Sequence, residues 1–302
     1  MVLCSANNRL MKKISVIDVG SNSVRLAMMA DGKTLYKKLA TTRLGEGLSV
    51  TGKISAQAGE RTANAVADFK NYALSQGAQK VYVFATAAVR SAVNRQEFLN
   101  LVRRVCGVEV DVLSGQDEAR IGISGALKNR DGGIIDVGGA STEVTVQAGG
   151  KCVYSVSADV GAVRLFDVAG RDKIKLENVI SDKITAYGNF QASAYSMYAI
   201  GGTATTLASV KHGLEVYDPE VVDGTVISVE EAGRMADRLL SLTVEGVRAL
   251  KGMEPRRADV IGGGCLLLYS VMKKLGIEKI TVSESDNLEG YYILKEGLNE
   301  EF

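Results

Sequence analysis

Two short segments of the chain repeat one pattern of residues that could bind a phosphorylated ligand. Residues 17–23 read IDVGSNS and residues 135–141 read IDVGGAS, so five of the seven positions are identical. In each copy an aspartate near the end of an apolar run, Asp18 or Asp136, is soon followed by a glycine that lets backbone amides approach a ligand closely. One such hairpin is more often only a turn, but two equivalent copies favour a shared ligand.

The repeated segments offer ligands for both a cation and a phosphate group. The carboxylates of Asp18 and Asp136 could hold Mg²⁺, or Mn²⁺, directly or through water. Backbone amides of the loops could point at phosphoryl oxygens, and the candidates are Gly20, Ser21, Asn22, Ser23, Gly138, Gly139, Ala140 and Ser141. The repeat therefore predicts a phosphate and metal site shared by two loops.

A β-hairpin is predicted after each aspartate loop. Asp31-Gly32 and Gly149-Gly150 are strong signals for tight hairpin turns. The predicted strand pairs around them are Val24–Ala30 with Thr34–Ala40 and Thr142–Ala148 with Cys152–Ser157. Each aspartate would then stand at the end of a strand that opens a sheet.

Strands alternate with helices along the rest of the chain. The further predicted strands are Lys80–Ala85, Glu109–Leu113, Met197–Ile200 and Lys279–Ser283. The predicted helices follow Ser55 and Asn94, span about 116–128, 176–190, 229–240 and 258–275, follow Gly202, and begin again near Leu288. This alternation indicates two α/β domains of related topology with a ligand cleft between them. We expect the first domain at 11–127 plus about 287–302, and the second at 128–286, with residues 1–10 as an extension.

Composition excludes several other classes of protein. The chain has 302 residues, enough for two domains, and 36 Lys plus Arg nearly balance 35 Asp plus Glu. A balanced charge argues against DNA or RNA as a partner, and local geometry must hold any anionic ligand. The four cysteines lack metal-ligand spacing, and no apolar run approaches the roughly 20 residues of a membrane span. We therefore expect reduced thiols, no membrane partner and a cytoplasmic location. The protein could also form a homodimer.

Further motifs identify a resemblance that covers nearly the whole chain from Ile14. Besides IDVGSNSVRL and IDVGGASTEV, they are RLGEGL at Arg43–Leu48, ATAAVR at Ala85–Arg90 and SGQDEAR at Ser114–Arg120. Together they resemble the exopolyphosphatase and guanosine pentaphosphate phosphohydrolase (Ppx/GppA) family, within the superfamily of actin, sugar kinases and heat-shock ATPases. The resemblance implies two actin-like, or ribonuclease H-like, domains. It also implies Mg²⁺ dependence and hydrolysis of phosphoanhydrides.

The resemblance further implies roles for single residues. Glu118 corresponds to the catalytic carboxylate, and it could accept a proton from an attacking water. From the residues alone, an acid in a first helical turn is more often a partner of the helix dipole. Arg90 is implied as a catalytic phosphate ligand, and Glu143 as an acidic residue near the metal. Arg43 is a weaker phosphate-binding candidate, because surface arginines usually do nothing specific.

Two segments of the second half extend the comparison. Gly201 and Gly202 resemble the family's third phosphate loop, where a strand meets a helix N-terminus, although tight helix packing explains them equally well. Residues 282–290 read VSESDNLEG where the family shows VSDxxLREG, so Leu288 replaces the arginine. Paired basic residues such as Arg256-Arg257 are more often solvated faces than polyanion tracks.

The sequence thus predicts an exopolyphosphatase that releases terminal phosphate from inorganic polyphosphate with Mg²⁺ and a water activated by Glu118. The alternatives are a hydrolase of the 5′-phosphate of pppGpp and a protein that binds a guanine alarmone or polyphosphate without turnover. A phosphotransferase of the same superfamily and an actin-like filament protein also stay open.

Overall fold

Five strands form a sheet from the first part of the chain. The structure is a computed structural model that describes residues 12–298. The strands are β1 (Lys13–Val19), β2 (Ser23–Ala30), β3 (Lys33–Thr41), β4 (Lys80–Ala85) and β5 (Asp111–Val112). Their order is β3-β2-β1-β4-β5, with β1 antiparallel to β2 and parallel to β4. Strand β1 is apolar and almost wholly buried because neighbours cover it on both edges and both faces.

Five helices accompany this sheet: α1 (Leu48–Thr51), α2 (Ala56–Ser75), α3 (Ala87–Ser91), α4 (Arg95–Cys106) and α5 (Gly115–Leu127). Ser55 caps α2 by accepting a hydrogen bond from the Ala58 amide at 3.2 Å. At the start of α5, Ser114 and Asp117 form a capping box, in which each side chain accepts from the other residue's amide. This cap places Glu118 in the first turn of α5.

The second sheet repeats the order of the first. Its strands are β6 (Gly132–Val137), β7 (Thr142–Ala148), β8 (Lys151–Ala158), β9 (Met197–Ile200), β10 (Val226–Ser228) and β11 (Lys279–Val282). They lie in the order β10-β11-β9-β6-β7-β8. Read from β8, the first five strands reproduce the two antiparallel hairpin strands and the parallel crossovers of the first sheet. This duplicated topology confirms the α/β fold with two actin-like domains.

Within residues 12–298, seven helices and two short 3₁₀ turns surround the second sheet, and one more helix follows its last strand. The helices are α6 (Ala162–Ala169), α7 (Lys173–Lys183), α8 (Gly201–His212), α9 (Pro219–Val222), α10 (Val229–Ser241), α11 (Val244–Arg248), α12 (Ile261–Lys274) and α13 (Asn287–Glu296). The 3₁₀ turns span Ile184–Tyr187 and Pro255–Arg257. None of the helices in the described part of the chain is both long and apolar enough to cross a bilayer.

The terminal helix α13 packs back on the first sheet and on α5. Leu288 and Tyr291 are buried in a core cluster with Ile14 and Phe84 of that sheet, as the sequence interpretation expected for this helix. Helix α5 also contacts the second sheet, where Ile123 and its neighbours form a small cluster with strands β6 and β9. The two helices therefore lie between the sheets, and the exact boundaries of the two domains stay a prediction.

Several predicted elements differ in extent from the structure. Helix α7 ends at Lys183 rather than near Phe190, because the chain tightens into the 3₁₀ turn at Ile184–Tyr187, which ends at Gly188 with a φ of 61°. Helix α12 begins three residues later than predicted, because the 3₁₀ turn at Pro255–Arg257 precedes it. Helix α6 and strand β10 carry no pattern that the sequence interpretation recognised. The expected extension at residues 1–10 and the last four residues of the expected first domain, 299–302, lie outside the described residues.

Candidate active site

The two glycine loops have the same backbone geometry and touch each other. In the first loop the Gly20 amide donates to the Ser23 carbonyl at 3.1 Å, and in the second the Gly138 amide donates to the Ser141 carbonyl at 3.1 Å. A Cβ atom on Gly139 would lie only 2.6 Å from the Cβ atom of Ser21. Glycine at 139 thus allows the loops of the two sheets to meet, and the cleft between the sheets is closed at this point.

A cavity of about 80 Å³ lies where the loops meet. The predicted site residues that line it are Asp18, Gly20, Ser21, Asn22, Ser23, Glu118, Asp136, Gly138, Gly139, Ala140, Ser141, Gly201 and Gly202. Residues from positions 18 to 202 of the chain therefore converge on one small volume. Three further predicted residues, Arg43, Arg90 and Glu143, do not line this cavity.

The two carboxylate oxygens of Asp18 have different surroundings. Arg25, its cross-strand neighbour on β2, donates to Asp18 Oδ2 from Nη2 at 2.5 Å and from Nε at 3.1 Å. Asp18 Oδ1 is buried and has no hydrogen-bond partner in the structure. Because a buried carboxylate oxygen without a partner is costly, this atom suits a water or a cation.

Glu118 enters the cavity from the first turn of α5. Arg90 donates from Nη1 to Glu118 Oε2 at 2.9 Å, and the same nitrogen donates to the Leu113 carbonyl at 2.8 Å. The arginine stands behind the carboxylate and fixes its direction. Asp117, the other acid of the motif, is exposed and serves the helix cap.

Glu143 lies beside Asp136, directly opposite it on β7. Its side chain is only 2% exposed and accepts a hydrogen bond from the Ser157 hydroxyl at 2.6 Å. Although it does not line the cavity, its charge reaches Glu118 and is among the causes that raise the pKa of that residue. Glu143 therefore acts on the site electrostatically in this structure.

The acids of the site repel each other and are poorly solvated. Burial, followed by the charge of Glu143, raises the pKa of Glu118 to about 8. Burial, followed by the charge of Glu118, raises the pKa of Asp136 to about 7, and burial with the charge of Asp136 raises the pKa of Glu143 to about 7. The pKa of Asp18 is also raised, chiefly by burial. Such a cluster is stabilised by a bound cation, and perturbed carboxyls are typical of functional sites.

The residues present fit a divalent cation that keeps much of its hydration. Among residues 12–298, no three His, Cys, Asp or Glu side chains are placed to enclose one metal ion. Mg²⁺ usually binds through one or two carboxylates together with waters and substrate phosphates. Asp18 and Asp136 supply two carboxylates at the cavity, so the donor set suits Mg²⁺ or Mn²⁺ better than a metal that requires a closed protein cage.

The third loop lies under Asp136 at the N-terminus of α8. Gly201 has a φ of 76°, and a Cβ there would lie 2.5 Å from Asp136 Oδ1. Glycine is therefore required both by the backbone and by the carboxylate. The amides at this helix N-terminus can receive an anion.

Arg257 is a candidate functional residue that sequence reasoning missed. Its side chain is 9% exposed and packs on Gly202, so the expectation of a solvated basic pair is wrong for this residue. Within residues 12–298 its guanidinium makes no hydrogen bond or ion pair, although the charges of Glu254 and Tyr217 lie near enough to act on its pKa. Burial and the nearby charge of Arg25 lower the pKa of Arg257 to about 10. A buried, unpaired guanidinium beside the two aspartate loops suits an anionic ligand.

Arg43 makes contacts that differ from the predicted one. Its Nη2 atom lies 2.8 Å from Asp259 Oδ2 and donates to the Arg256 carbonyl at 3.1 Å. Beside it, Asp167 accepts hydrogen bonds from the Gly47 amide and the Ser49 hydroxyl. These contacts tie the first part of the chain to the second near the closed cleft, and phosphate binding by Arg43 stays a prediction.

A second and larger cavity of about 750 Å³ adjoins the first. The two cavities share Arg25, Gly202 and Arg257 in their walls. The larger one is also lined by basic Lys37 and Lys38, acidic residues, and an apolar group made of Leu39, Leu214, Leu250, Met253 and Leu288. Its volume falls in the usual range for ligand pockets, about 300 to 1,000 Å³.

Comparisons with known proteins agree with this geometry. The chain is 29% identical over 309 residues to Exopolyphosphatase 2 of Mycobacterium tuberculosis, covering 92% of this chain and 97% of that protein. It is 28% identical to the guanosine-5′-triphosphate,3′-diphosphate pyrophosphatase of Photobacterium profundum, covering 91% of this chain but 58% of that protein. The crystal structure of an exopolyphosphatase-like protein, 25% identical, matches with a TM-score of 0.86 over 95% of this chain and 99% of the other.

The family model described as the Ppx/GppA phosphatase family matches residues 19–297. That span includes both aspartate loops except for Asp18, together with Glu118, Arg90 and the terminal helix. The predicted class of enzyme, a phosphoanhydride hydrolase, is confirmed with it, and the chain belongs to the Ppx/GppA phosphatase family.

Proposed function

We propose that this protein hydrolyses the terminal phosphoanhydride of inorganic polyphosphate and releases phosphate, with Mg²⁺ and a water activated by Glu118. One observation supports the proposal above the others: a buried carboxyl with a raised pKa faces a cavity walled by two phosphate-binding loops. A pKa near the working pH suits a general base. The name of the mycobacterial relative gives polyphosphate as the first substrate to test.

Each group of residues has its own role in the proposed reaction. Backbone amides of Ser21, Asn22, Gly139 and Ala140 hold the terminal phosphoryl oxygens, because the Gly20 and Gly138 amides are used within the loops, and Arg257 holds the next phosphate. Glu118, oriented by Arg90, takes a proton from water as the water oxygen attacks the terminal phosphorus in line with the leaving oxygen. Mg²⁺ supplies positive charge that offsets the phosphate oxygens when it is held at Asp18 and Asp136. Arg90 keeps Glu118 in place, and its own contact with phosphate stays a prediction.

The second cavity favours pppGpp as an alternative substrate. Its apolar group would cover a nucleoside, which polyphosphate lacks. Lys37, Lys38 and Arg257 could hold a few phosphates near the entrance. The same catalytic cavity would serve both substrates, because both end in a terminal phosphoanhydride.

A side-by-side turnover measurement on polyphosphate, pppGpp and ATP with Mg²⁺ tests the proposal. We expect phosphate release from polyphosphate with a higher kcat/KM than from ATP. Preferential release from pppGpp would favour the alternative, and tight binding with no released phosphate would identify a binding protein. Transfer of labelled phosphate to an alcohol or acid would instead identify a phosphotransferase. The cytoplasmic location and a homodimer stay predictions.

A further inference from the structure

The start of α13 carries two buried polar residues that the mechanism above does not use. Asp286 caps the helix and Asn287 is its first residue, and they are 3% and 4% exposed. Asn287 lines the catalytic cavity, and Asp286 lines the second cavity. They fall in the segment that departs from the family pattern, beside Leu288. A helix cap explains one of them, but not the direction of both side chains.

Asn287 holds the carboxylate of the second loop directly. Its Nδ2 atom donates to Asp136 Oδ2 at 3.0 Å across 151 positions of the chain. The amide fits there because residue 122 of α5 is glycine, where a Cβ atom would lie 2.8 Å from Asn287 Oδ1. Asn287 Oδ1 is buried and has no hydrogen-bond partner within residues 12–298. The hydrogen bond to Asp136 is therefore the one that fixes the Asn287 side-chain amide in this structure.

Asp286 holds the carboxylate of the first loop through Arg25. Asp286 Oδ2 accepts from Arg25 Nη1, while Nη2 and Nε of the same guanidinium donate to Asp18 Oδ2. Asp286 is itself fixed, because its Oδ1 accepts from the Leu288 amide at 2.9 Å and its own amide donates to Glu289 Oε2 at 2.9 Å. The N-cap residue of α13 therefore helps to hold Asp18 in place through Arg25.

The helix that carries these two residues is well anchored. Tyr291 stacks on Phe84 of the first sheet with ring centroids 4.5 Å apart, and Leu288 is fully buried in the same cluster. A rigid element can orient a side chain more closely than a loop can. The start of α13 thus reaches both loops from one fixed place, although the loops belong to different sheets.

We propose that Asn287 and Asp286 are positioning residues, which set the carboxylates of Asp136 and Asp18 for cation binding and phosphate hydrolysis. The proposal rests on the proposed function, because it assigns these carboxylates to the cation. Residues that hydrogen-bond metal-binding side chains commonly change metal affinity or activity by 10- to 100-fold when they are replaced.

The main test replaces Asn287 by leucine, which is similar in shape but cannot donate. We expect Asn287→Leu to weaken Mg²⁺ binding to the substrate-free protein, measured by calorimetry, by about 10- to 100-fold and to lower kcat over a similar range. The matched control is Tyr292→Phe. This change removes a hydrogen bond from the Gly32 amide to the same helix, at 3.2 Å, but touches neither loop. It should keep Mg²⁺ affinity and kcat within about twofold of the wild type.

A second variant keeps the test decisive if Asn287→Leu does not fold. Asp286→Asn retains a good N-cap residue but removes the charge that pairs with Arg25. We expect it to weaken Mg²⁺ binding by about tenfold. Unchanged Mg²⁺ affinity and kcat in the folded variants would overturn the proposal, and so would an equal loss in Tyr292→Phe, since that would indicate helix docking alone. A wild type inactive on every phosphate substrate would refute the proposed function, whereas the calorimetric comparison would still decide the role of Asn287.

Discussion

Replacing Glu118 by glutamine should separate catalysis from stability. Glutamine keeps the size of the side chain and an oxygen that can accept the Arg90 hydrogen bond, which measures 2.9 Å. It cannot take a proton from water. The loss of a general base lowers turnover by roughly 10²- to 10⁴-fold, which corresponds to about 2.7 to 5.4 kcal/mol at 1.36 kcal/mol per factor of ten.

The stability of this variant relative to the wild type should increase as the pH rises. Burial, with the charge of Glu143, raises the pKa of Glu118 from 4.5 to about 8, so the folded state keeps a proton that the unfolded state has lost between these values. The wild type therefore loses stability as the pH rises from about 4.5 to 8. Glutamine carries no charge at any of these pH values. We expect Glu118→Gln without Mg²⁺ to match the wild type near pH 5 and to exceed its unfolding temperature at pH 8.

The assay pairs initial rates of phosphate release with thermal unfolding at pH 5 and pH 8. Asp117→Asn is the matched control, because Asp117 is the exposed neighbour in the same helical turn and serves only the cap. A lost cap typically costs about 1 kcal/mol, so this control should keep kcat within a few-fold of the wild type. If kcat of Glu118→Gln fell less than tenfold, Glu118 would not be the base. A variant less stable than the wild type at pH 8 would refute the electrostatic account.

Other expected outcomes concern the cation, the second phosphate and the substrate length. Asp136→Asn and Asp18→Asn should each raise the Mg²⁺ concentration for half-maximal rate, because an amide carries no charge; an unchanged value in both would contradict the two-loop site. Arg257→Met should raise KM by about 10- to 100-fold, as expected for a charged hydrogen bond, without lowering the unfolding temperature, and a normal KM would remove Arg257 from the substrate site. With a net charge of +1 the chain offers few contacts beyond the cavities, so short polyphosphate should be cleaved at least as efficiently as long chains. Gels of partly digested long chains should show a shortening ladder, and full-length chains beside free phosphate would indicate processive action instead.

Local patterns predicted most of the fold and both aspartate loops. Strands Lys80–Ala85, Thr142–Ala148 and Met197–Ile200 have the bounds that the sequence predicts, since buried apolar runs bounded by turn residues specify strands locally. The loops were found because their chemistry is contiguous: an aspartate, a glycine and the next few amides all lie within seven residues. A repeat of such a segment is visible without knowledge of the fold.

Contacts across the cleft were decided only by the tertiary structure. Arg257 belongs to a basic pair of a kind that usually faces solvent, yet the approach of α8 buries it against Gly202. Asn287 meets Asp136, and Asp286 meets Arg25, across 151 and 261 positions of the chain. Residue types and local spacing carry no information on such pairs, because they form only where the two sheets pack around α5 and α13. The sequence by itself thus determined the loops and the class of chemistry, whereas the packing of the two sheets decided which charged groups stay unpaired and which ones set the positions of the two aspartates.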